Sequence, residues 1–530
     1  MAGRASAEAE CSVPAGYNRF MKPTPFQRIG VVGSGVMGRG IAQIFAQAGI
    51  PVRLFDSHGP ALEAAVQSLA GVFSLLQDKG RLTSEQAQAA RQRILPAQAL
   101  PDLADCDLVI EAIVERLDAK RELLASLDAV LAPSAVIASN TSSLSITAIA
   151  ASSRHPERVA GYHFFNPVPL MRIVEVIGGP RTEPGILDRL CSLAELAGHQ
   201  AVRAQDTPGF IVNHAGRGFG TEALRLLGEG VADPATIDRI MREQVSIDGS
   251  GFKLGPFELM DLTGLDVSHP VMESIYRQYF DEPRFRPSVI AAQRTVAGLH
   301  GRKRGEGWYQ HIDGKQQNPP EPAVPATGSL PPVWVAPGAQ HGTLSALVTD
   351  LGAQLDTGAS PGAESLILLA PLGHDATHAC LDWPADRAVA IDTFFPVARG
   401  ACQRRTLMTT PATRAHYRDA AHALFAADGV RVSVIRDSAG FVAPRILAMI
   451  VAIGCEIAQQ RIASPADIDT AVRLGLGYPA GPLALGDKLG AMRLTRLLDE
   501  IHQITADPRY RPSMWLRRRA KLGLSLLHPD

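Results

Sequence analysis

His163 stands in the run His163-Phe-Phe-Asn166-Pro-Val-Pro-Leu-Met-Arg-Ile-Val-Glu175, which places a carboxylate twelve residues after an imidazole. These residue types suit proton transfer coupled to loss of a hydride. Oxidising a secondary alcohol needs a base for the hydroxyl proton, and an imidazole with a reference pKa of about 6.5 is matched to neutral pH. Glu175 would hydrogen-bond the other ring nitrogen, fixing the tautomer and stabilising the imidazolium that forms. Ser142, in Ser139-Asn-Thr-Ser-Ser-Leu-Ser145, and Asn213, in Asp206-Thr-Pro-Gly-Phe-Ile-Val-Asn213, would supply hydrogen bonds to the reacting oxygen. Each also has a plainer reading. A histidine beside phenylalanines can be a satisfied, partly buried ring, Glu175 a surface carboxylate on a strand, and Ser142 and Asn213 turn or cap residues.

A hydride needs an acceptor, and Gly33-Ser-Gly35-Val36-Met37-Gly38 has the spacing of a dinucleotide fingerprint. It follows the apolar run Ile29–Val32 and opens the helix-like stretch Met37–Ala48, while Asp56 ends the next apolar run, Val52–Phe55. Gly33 permits the tight turn, Gly35 lets the backbone approach a pyrophosphate, and Gly38 allows close packing of helix on strand; the helix N-terminus adds unpaired N–H groups. Asp56 would accept hydrogen bonds from the adenosine ribose. It would repel a 2′-phosphate, and Ser57-His58-Gly59 holds no arginine to replace it, so NAD is favoured over NADP.

These residues need a framework. Between residues 28 and 205 the apolar runs Ile29–Val32, Val52–Phe55, Leu108–Ile110, Val136–Ala138, Val159–Gly161 and Ile173–Ile177 alternate with helical stretches such as Ser84–Arg93. The alternation predicts an α/β Rossmann-type, doubly wound parallel sheet. Residues 206–310 have helical spacing and predict a small all-α domain. A run with six prolines, residues 311–332, reads as an extended linker.

Beyond the linker the chain echoes itself: Asp206-Thr-Pro-Gly-Phe-Ile-Val-Asn213 returns as Asp437-Ser-Ala-Gly-Phe-Val-Ala-Pro444, and Pro283-Arg-Phe-Arg-Pro-Ser288 as Pro508-Arg-Tyr-Arg-Pro-Ser513. The expected organisation is an N-terminal extension (1–25), an NAD-binding domain (26–205), a helical domain (206–310), the linker (311–332), a reduced α/β segment (333–436) and a second helical copy (437–530). That copy should be catalytically silent. Pro444 replaces Asn213, Thr393 precedes the Phe394-Phe395-Pro396 echo, and no glycine fingerprint follows Val333–Ala336. Its expected use is packing against residues 206–310 as a pseudo-twofold pair.

Of the 530 residues 46% are hydrophobic and 20% charged, an ordinary globular composition. Lys+Arg 52 against Asp+Glu 53 leaves a formal charge of −1, so no global basic field favours nucleic acid. Six scattered cysteines without C-x-x-C spacing argue against a disulfide scaffold and a structural zinc site, and no bound metal is expected. The N-terminus has no signal-peptide core, and the run Ile446–Cys455 is short of the roughly 20 apolar residues that span a bilayer. A soluble cytoplasmic protein without a membrane partner is the expectation.

Taken together, Gly33–Gly38, Ser139–Ser143, His163–Pro169, Asp206–Asn213 and Gly255-Pro-Phe-Glu-Leu-Met-Asp261 resemble the NAD-dependent L-3-hydroxyacyl-CoA dehydrogenases over residues 28–310. The echoing second half resembles the long bacterial form of that family. The resemblance implies reversible oxidation of an L-3-hydroxyacyl-CoA to the 3-oxoacyl-CoA, as in fatty-acid β-oxidation or aromatic-acid catabolism. It implies His163 as general acid/base, Glu175 as its partner, and Ser142 and Asn213 as ligands of the substrate oxygen. It further implies NAD contacts from Asp56, Glu115, Lys120 and Asn166 and from backbone near Ser142, with Ser68 and Lys79 as candidates for coenzyme A.

The long form suggests 3-hydroxybutyryl-CoA or 3-hydroxyadipyl-CoA, with Arg217 as a candidate for a distal carboxylate or else a solvated helix charge. A homodimer is a further expectation. One departure bears on the pocket: His214-Ala-Gly-Arg217-Gly-Phe-Gly220 carries three glycines where a helix should run, at a cost of roughly 1 kcal/mol each relative to alanine. The competing readings are a dehydrogenase of free hydroxy acids or sugar acids and a non-catalytic NAD-binding derivative.

Overall fold

The computed structural model describes residues 24–530. The short apolar runs of the first part form one eight-stranded sheet of β1 (Ile29–Val32), β2 (Val52–Phe55), β3 (Ile94–Ala97), β4 (Leu108–Glu111), β5 (Val136–Ser139), β6 (Val159–Phe164), β7 (Ile173–Gly178) and β8 (Gln200–Gln205). The spatial order is β3-β2-β1-β4-β5-β6-β7-β8. Every residue of β1, β4, β5, β6 and β7 is buried, because helices cover both faces and leave no side for polar alternation.

The sheet is not wholly parallel. β7 runs antiparallel to β6 and parallel to β8. The reason is the short connection from Phe165 to Arg172, which has no room for the helical crossover a parallel neighbour requires. β6 also continues to Phe164, so His163 lies within the strand rather than in the loop after it. Of the helices, Gly59–Asp78 is long and apolar enough to cross a membrane by length and composition; here it buries Leu62, Ala65, Leu69 and Phe73.

The proline-rich segment does not begin as a free linker. Residues Gln310–Ile312 (β9) and Lys315–Gln317 (β10) form a hairpin, and His311 Nε2 lies 3.0 Å from the buried Asp261 carboxylate. A second sheet follows, of β11 (Val333–Val335), β12 (Leu355–Asp356), β13 (Leu366–Leu369), β14 (Ala388–Ile391), β15 (Arg404–Thr409) and β16 (Arg431–Ile435), in the order β12-β11-β13-β14-β15-β16. Its last strands repeat the first sheet's pattern, with β14 antiparallel to β15 and β15 parallel to β16.

Side-chain anchors fix the correspondence. Arg158 donates to the carbonyls of Ala132 and Ala135 before β5, and Arg387 to those of Gly362 and Ser365 before β13. Asp206 holds the amides of Ile146 and Thr147, and Asp437 those of Ala376 and Thr377. β13 therefore stands for β5, and the smaller sheet has no counterpart of β3 or β4.

The two helical segments pack on each other. Helix Arg217–Gly228 lies so close to helix Ala443–Gln459 that a Cβ on Gly218 would come within 2.8 Å of the Ile450 backbone. The glycine-rich stretch is thus helical, with Gly218 required by the close approach. Arg445 crosses the interface to Glu222 (2.6 Å) and Glu229 (2.8 Å), and the Tyr510 hydroxyl of its own segment accepts from it at 2.6 Å. The echoed arginines meet reciprocally: Arg284 donates to the carbonyl of Arg509, and Arg509 to that of Arg284, each at 3.3 Å.

Candidate active site

Strand register sets the central pair. β6 and β7 place His163 opposite Glu175, and His163 Nδ1 lies 2.6 Å from Glu175 Oε2. Both side chains are buried. The other carboxylate oxygen, Oε1, accepts from the amides of Ile211 and Val212, both at 2.9 Å, where the helix Val212–Ala215 begins. Glu175 is therefore neither exposed nor free. Its position is set by a sheet on one side and two amides on the other, and it orients the imidazole so that Nε2, which has no partner among the described residues, faces away from the pair.

The serine loop after β5 is tied to the same strand, because Asn140 Oδ1 accepts from the Phe164 amide at 2.8 Å. Asn213 donates through Nδ2 to the Ser142 carbonyl (3.1 Å), so the two candidate oxygen ligands are neighbours. The Ser142 hydroxyl donates to Glu115 at 3.2 Å and keeps its lone pairs free to accept. Glu115 also accepts from Thr141 Oγ1 (2.7 Å) and from the amides of Ser142 (2.9 Å) and Ser143 (3.1 Å). Burial raises its carboxyl, but the Lys120 ammonium and these hydrogen bonds outweigh it and hold the group below the usual carboxylate range.

Lys120 presents no free charge to a cofactor. Its ammonium is 1% exposed and bound to both oxygens of Glu111, at 2.9 and 2.8 Å, with Glu115 at 3.4 Å. It supports Glu115 from within the fold. Asn166 is exposed beyond Phe165. Ser68 and Lys79 are both exposed along the helix Gly59–Asp78 and its C-terminal cap, and neither hydrogen-bonds to any residue of the site.

The three fingerprint glycines have three separate reasons to be glycine. Gly33 has φ +100°, and a Cβ there would meet the Ala112 carbonyl at 2.6 Å; a Cβ on Gly38 would lie 1.8 Å from the Gly33 carbonyl. A Cβ on Gly35 would meet nothing within 4 Å, so that position is kept bare toward open space. Val36 and Met37 open the helix Val36–Gln47, whose N-terminus has no side-chain cap. Asp56 accepts from the Ser34 amide and hydroxyl, both at 2.7 Å, and from the His58 amide at 3.0 Å. Burial pushes its carboxyl up, but these bonds hold it below the usual range. The uncapped amides, the bare Gly35 and the ionised Asp56 fit the pyrophosphate and adenosine ribose of a dinucleotide.

Comparison with known proteins matches this architecture. The family model described as 3-hydroxyacyl-CoA dehydrogenase, NAD binding domain, covers residues 28–207, and that of the C-terminal domain covers two segments, 209–311 and 440–525. The chain belongs to the 3-hydroxyacyl-CoA dehydrogenase family. It is 37% identical over 499 residues to the 3-hydroxyadipyl-CoA dehydrogenase of Escherichia coli K12, spanning 94% of this chain and 98% of that one. It is 38% identical to the 3-hydroxybutyryl-CoA dehydrogenase of Bradyrhizobium diazoefficiens, over 54% of this chain and 97% of the relative. The crystal structure of 3-hydroxybutyryl-CoA dehydrogenase from Escherichia coli K12 superposes with TM-score 0.80 at 35% identity, over 94% of this chain and 98% of that one. This dehydrogenase uses NAD to oxidise L-3-hydroxyacyl-CoA thioesters reversibly to 3-oxoacyl-CoA.

Several site residues escaped the sequence reading. Ser34 fastens Asp56 to the glycine turn, and Glu111, at the end of β4, binds both Lys120 and Ser139. Asn140 was legible as part of the serine motif, though not as the link to β6. Gln278, which donates to the Ser143 carbonyl at 3.2 Å, lies on a helix far along the chain and left no local signal.

Proposed function

We propose that His163 is the acid/base of this reaction, and the observation that carries the proposal is its 2.6 Å contact with a Glu175 that two backbone amides already hold in place. In the oxidation direction the C3 hydroxyl proton passes to His163 Nε2 while hydride leaves C3. NAD, when bound against Gly33–Gly38 and Asp56, supplies the hydride acceptor. The buried Glu175 carboxylate stabilises the imidazolium, and in reduction the same proton returns to the 3-oxo oxygen. Ser142 and Asn213, joined at 3.1 Å, position the substrate oxygen. Residues 26–205 and 206–310 form the catalytic unit in this reading, while 333–436 and 437–530 contribute packing. A formal charge of −1 and six scattered cysteines without C-x-x-C spacing support a cytoplasmic enzyme that binds neither nucleic acid nor membrane.

His163→Gln should lower kcat by a factor on the order of 10²–10⁴ with NADH affinity retained, as expected for loss of a general acid/base. Unchanged kcat removes His163 from the mechanism. Turnover of the thioester but not of its free acid separates this reading from a hydroxy-acid dehydrogenase.

A further inference from the structure

The second sheet keeps a cleft of its own. The chain passes from β11 to β12 on one side of that sheet and from β13 to β14 on the other, so its direction switches between the neighbours β11 and β13. Crevices outside the carboxyl ends of strands at such a switch are the usual ligand sites of open α/β sheets. Here Ala336, Ala370 and Asp392, the residues that follow β11, β13 and β14, line a cavity of about 490 Å³, a size ordinary for small-molecule sites. A dinucleotide does not suit it. The loop after β11 reads Ala336-Pro337-Gly338-Ala339, so Pro337 has no amide to donate and two methyl groups stand where a backbone would have to approach a pyrophosphate.

The walls have exchanged oxygen ligands for hydrocarbon. The loop after β13 runs between the same anchors as the serine loop and has the same length, with Ser365 and Ala376 standing for Ala135 and Ile146, which puts Leu372 in the place of Ser142. Pro444 takes the place of Asn213. The apolar wall is retained: Phe210, whose ring lies 6.0 Å from that of His163, returns as Phe441, each at positive φ (48° and 54°). A ligand body in this cleft meets hydrocarbon where a 3-hydroxyl would need hydrogen bonds.

Arg493 is the one arginine or lysine in the lining. Its guanidinium carbon lies 4.0 Å from the centre of the Phe394 ring, and Nη2 donates to the Thr393 carbonyl at 3.1 Å. Nε and Nη1 have no partner among the described residues, and Arg493 forms no ion pair there. Asp392 spends one oxygen on the Phe394 amide (2.8 Å) and the other on Gln244 (2.7 Å). Burial lowers the Arg493 guanidinium, with only the Asp392 charge opposing. A half-buried, unpaired cation beside apolar walls favours an anion with an apolar body.

We propose that this cleft binds a monocarboxylic acid with an apolar chain, its carboxylate on Arg493 and its chain along Leu372, Phe441 and Pro444. The second half thus keeps a ligand site after losing the catalytic groups. No step of the dehydrogenase reaction passes through this cleft, so the site stands independently of the role given to His163.

Calorimetric titration of the full-length, NADH-saturated protein with octanoate, butyrate and octanamide tests it. One octanoate should bind per chain. Octanamide, which keeps the chain and loses the charge, should bind at least about 10-fold more weakly. Butyrate, four methylenes shorter, should also be weaker by more than about 10-fold, since each buried methylene is worth roughly fourfold. Arg493→Met should weaken octanoate by roughly 10–100-fold, the span for losing hydrogen bonds to a charged group. Leu372→Glu, which sets a negative charge in the wall, should weaken it by at least about 10-fold and keeps the test open if Arg493→Met does not fold. Absence of octanoate binding, octanamide binding as tightly as octanoate, or an octanoate affinity unchanged in both variants each overturns the proposal; the last is also the result if octanoate sits in the catalytic cleft instead.

Discussion

The same strand pair occurs twice in this molecule with different chemistry. In the first sheet, β6 and β7 oppose His163 and Glu175. In the second, Asp392 stands five residues after Arg387 as His163 does after Arg158, and its amide donates to the Thr406 carbonyl at 2.9 Å. The histidine position is thus taken by Asp392, not by Thr393, and the Glu175 position by Thr406. Gln244 from the first helical segment bridges them, donating to Asp392 at 2.7 Å and meeting the Thr406 hydroxyl. A cleft of about 490 Å³ persists beside this trio, lined by Asp392, Phe394, Phe441 and Pro444. A fold can therefore keep its register and cleft while losing the imidazole, and the glutamate that orients it, at the reacting position.

The largest effect is expected in the fingerprint. Gly38→Ala puts a methyl group 1.8 Å from the Gly33 carbonyl and should abolish NADH binding together with local folding, seen as loss of both the titration and the cooperative unfolding transition. Gly35→Ala meets nothing within 4 Å, so it should leave Tm near that of the parent while weakening NADH binding. If both variants lost stability alike, the assignment of Gly35 to cofactor approach would fall.

Arg445→Met probes the seam between the halves. It leaves Glu222 buried with only Arg509 at 3.4 Å and the Tyr510 hydroxyl, and breaking a buried pair on one side costs about 3–5 kcal/mol. Denaturant unfolding should show a loss of that order, and a change under about 1 kcal/mol would contradict the structural role given to this contact.

Asp392→Asn is the mildest test. Burial pushes Asp392 up to about 6, against hydrogen bonds from Phe394 and Gln244 and the Arg493 charge. A carboxyl raised on folding stabilises the folded state below about pH 4 and loses that contribution as pH rises through about 6. Stability of the parent should therefore fall between pH 4 and 6 relative to Asp392→Asn, with kcat of the variant unchanged. Equal pH slopes would contradict the assignment, and a large fall in kcat would contradict the silence of the second cleft.

Much of the catalytic half was legible because its residues sit in turns with local requirements: Gly33 needs positive φ, Asp56 ends a strand, and the serine loop and His163 follow apolar runs. What stayed hidden depended on distant partners. The antiparallel β7 reads like its parallel neighbours, because a strand buried on both faces shows no alternation. Gly218 looked like a helix defect until the Ile450 backbone was seen against it. The Asp392 and Thr393 discrepancy is a one-residue slip of register, which sequence echo cannot settle and which moves a side chain to the other face. The ion pair of Lys120 with Glu111 also stayed hidden, because Glu111 ends the preceding strand and nothing in the sequence shows that the two side chains meet.

One dinucleotide site and one acid/base per chain, both in the first half, are predicted. Calorimetric titration of the full-length protein with NADH tests this directly. One NADH bound per chain, with binding lost in Gly38→Ala, is the predicted result; two per chain, or binding that survives that substitution, would contradict it.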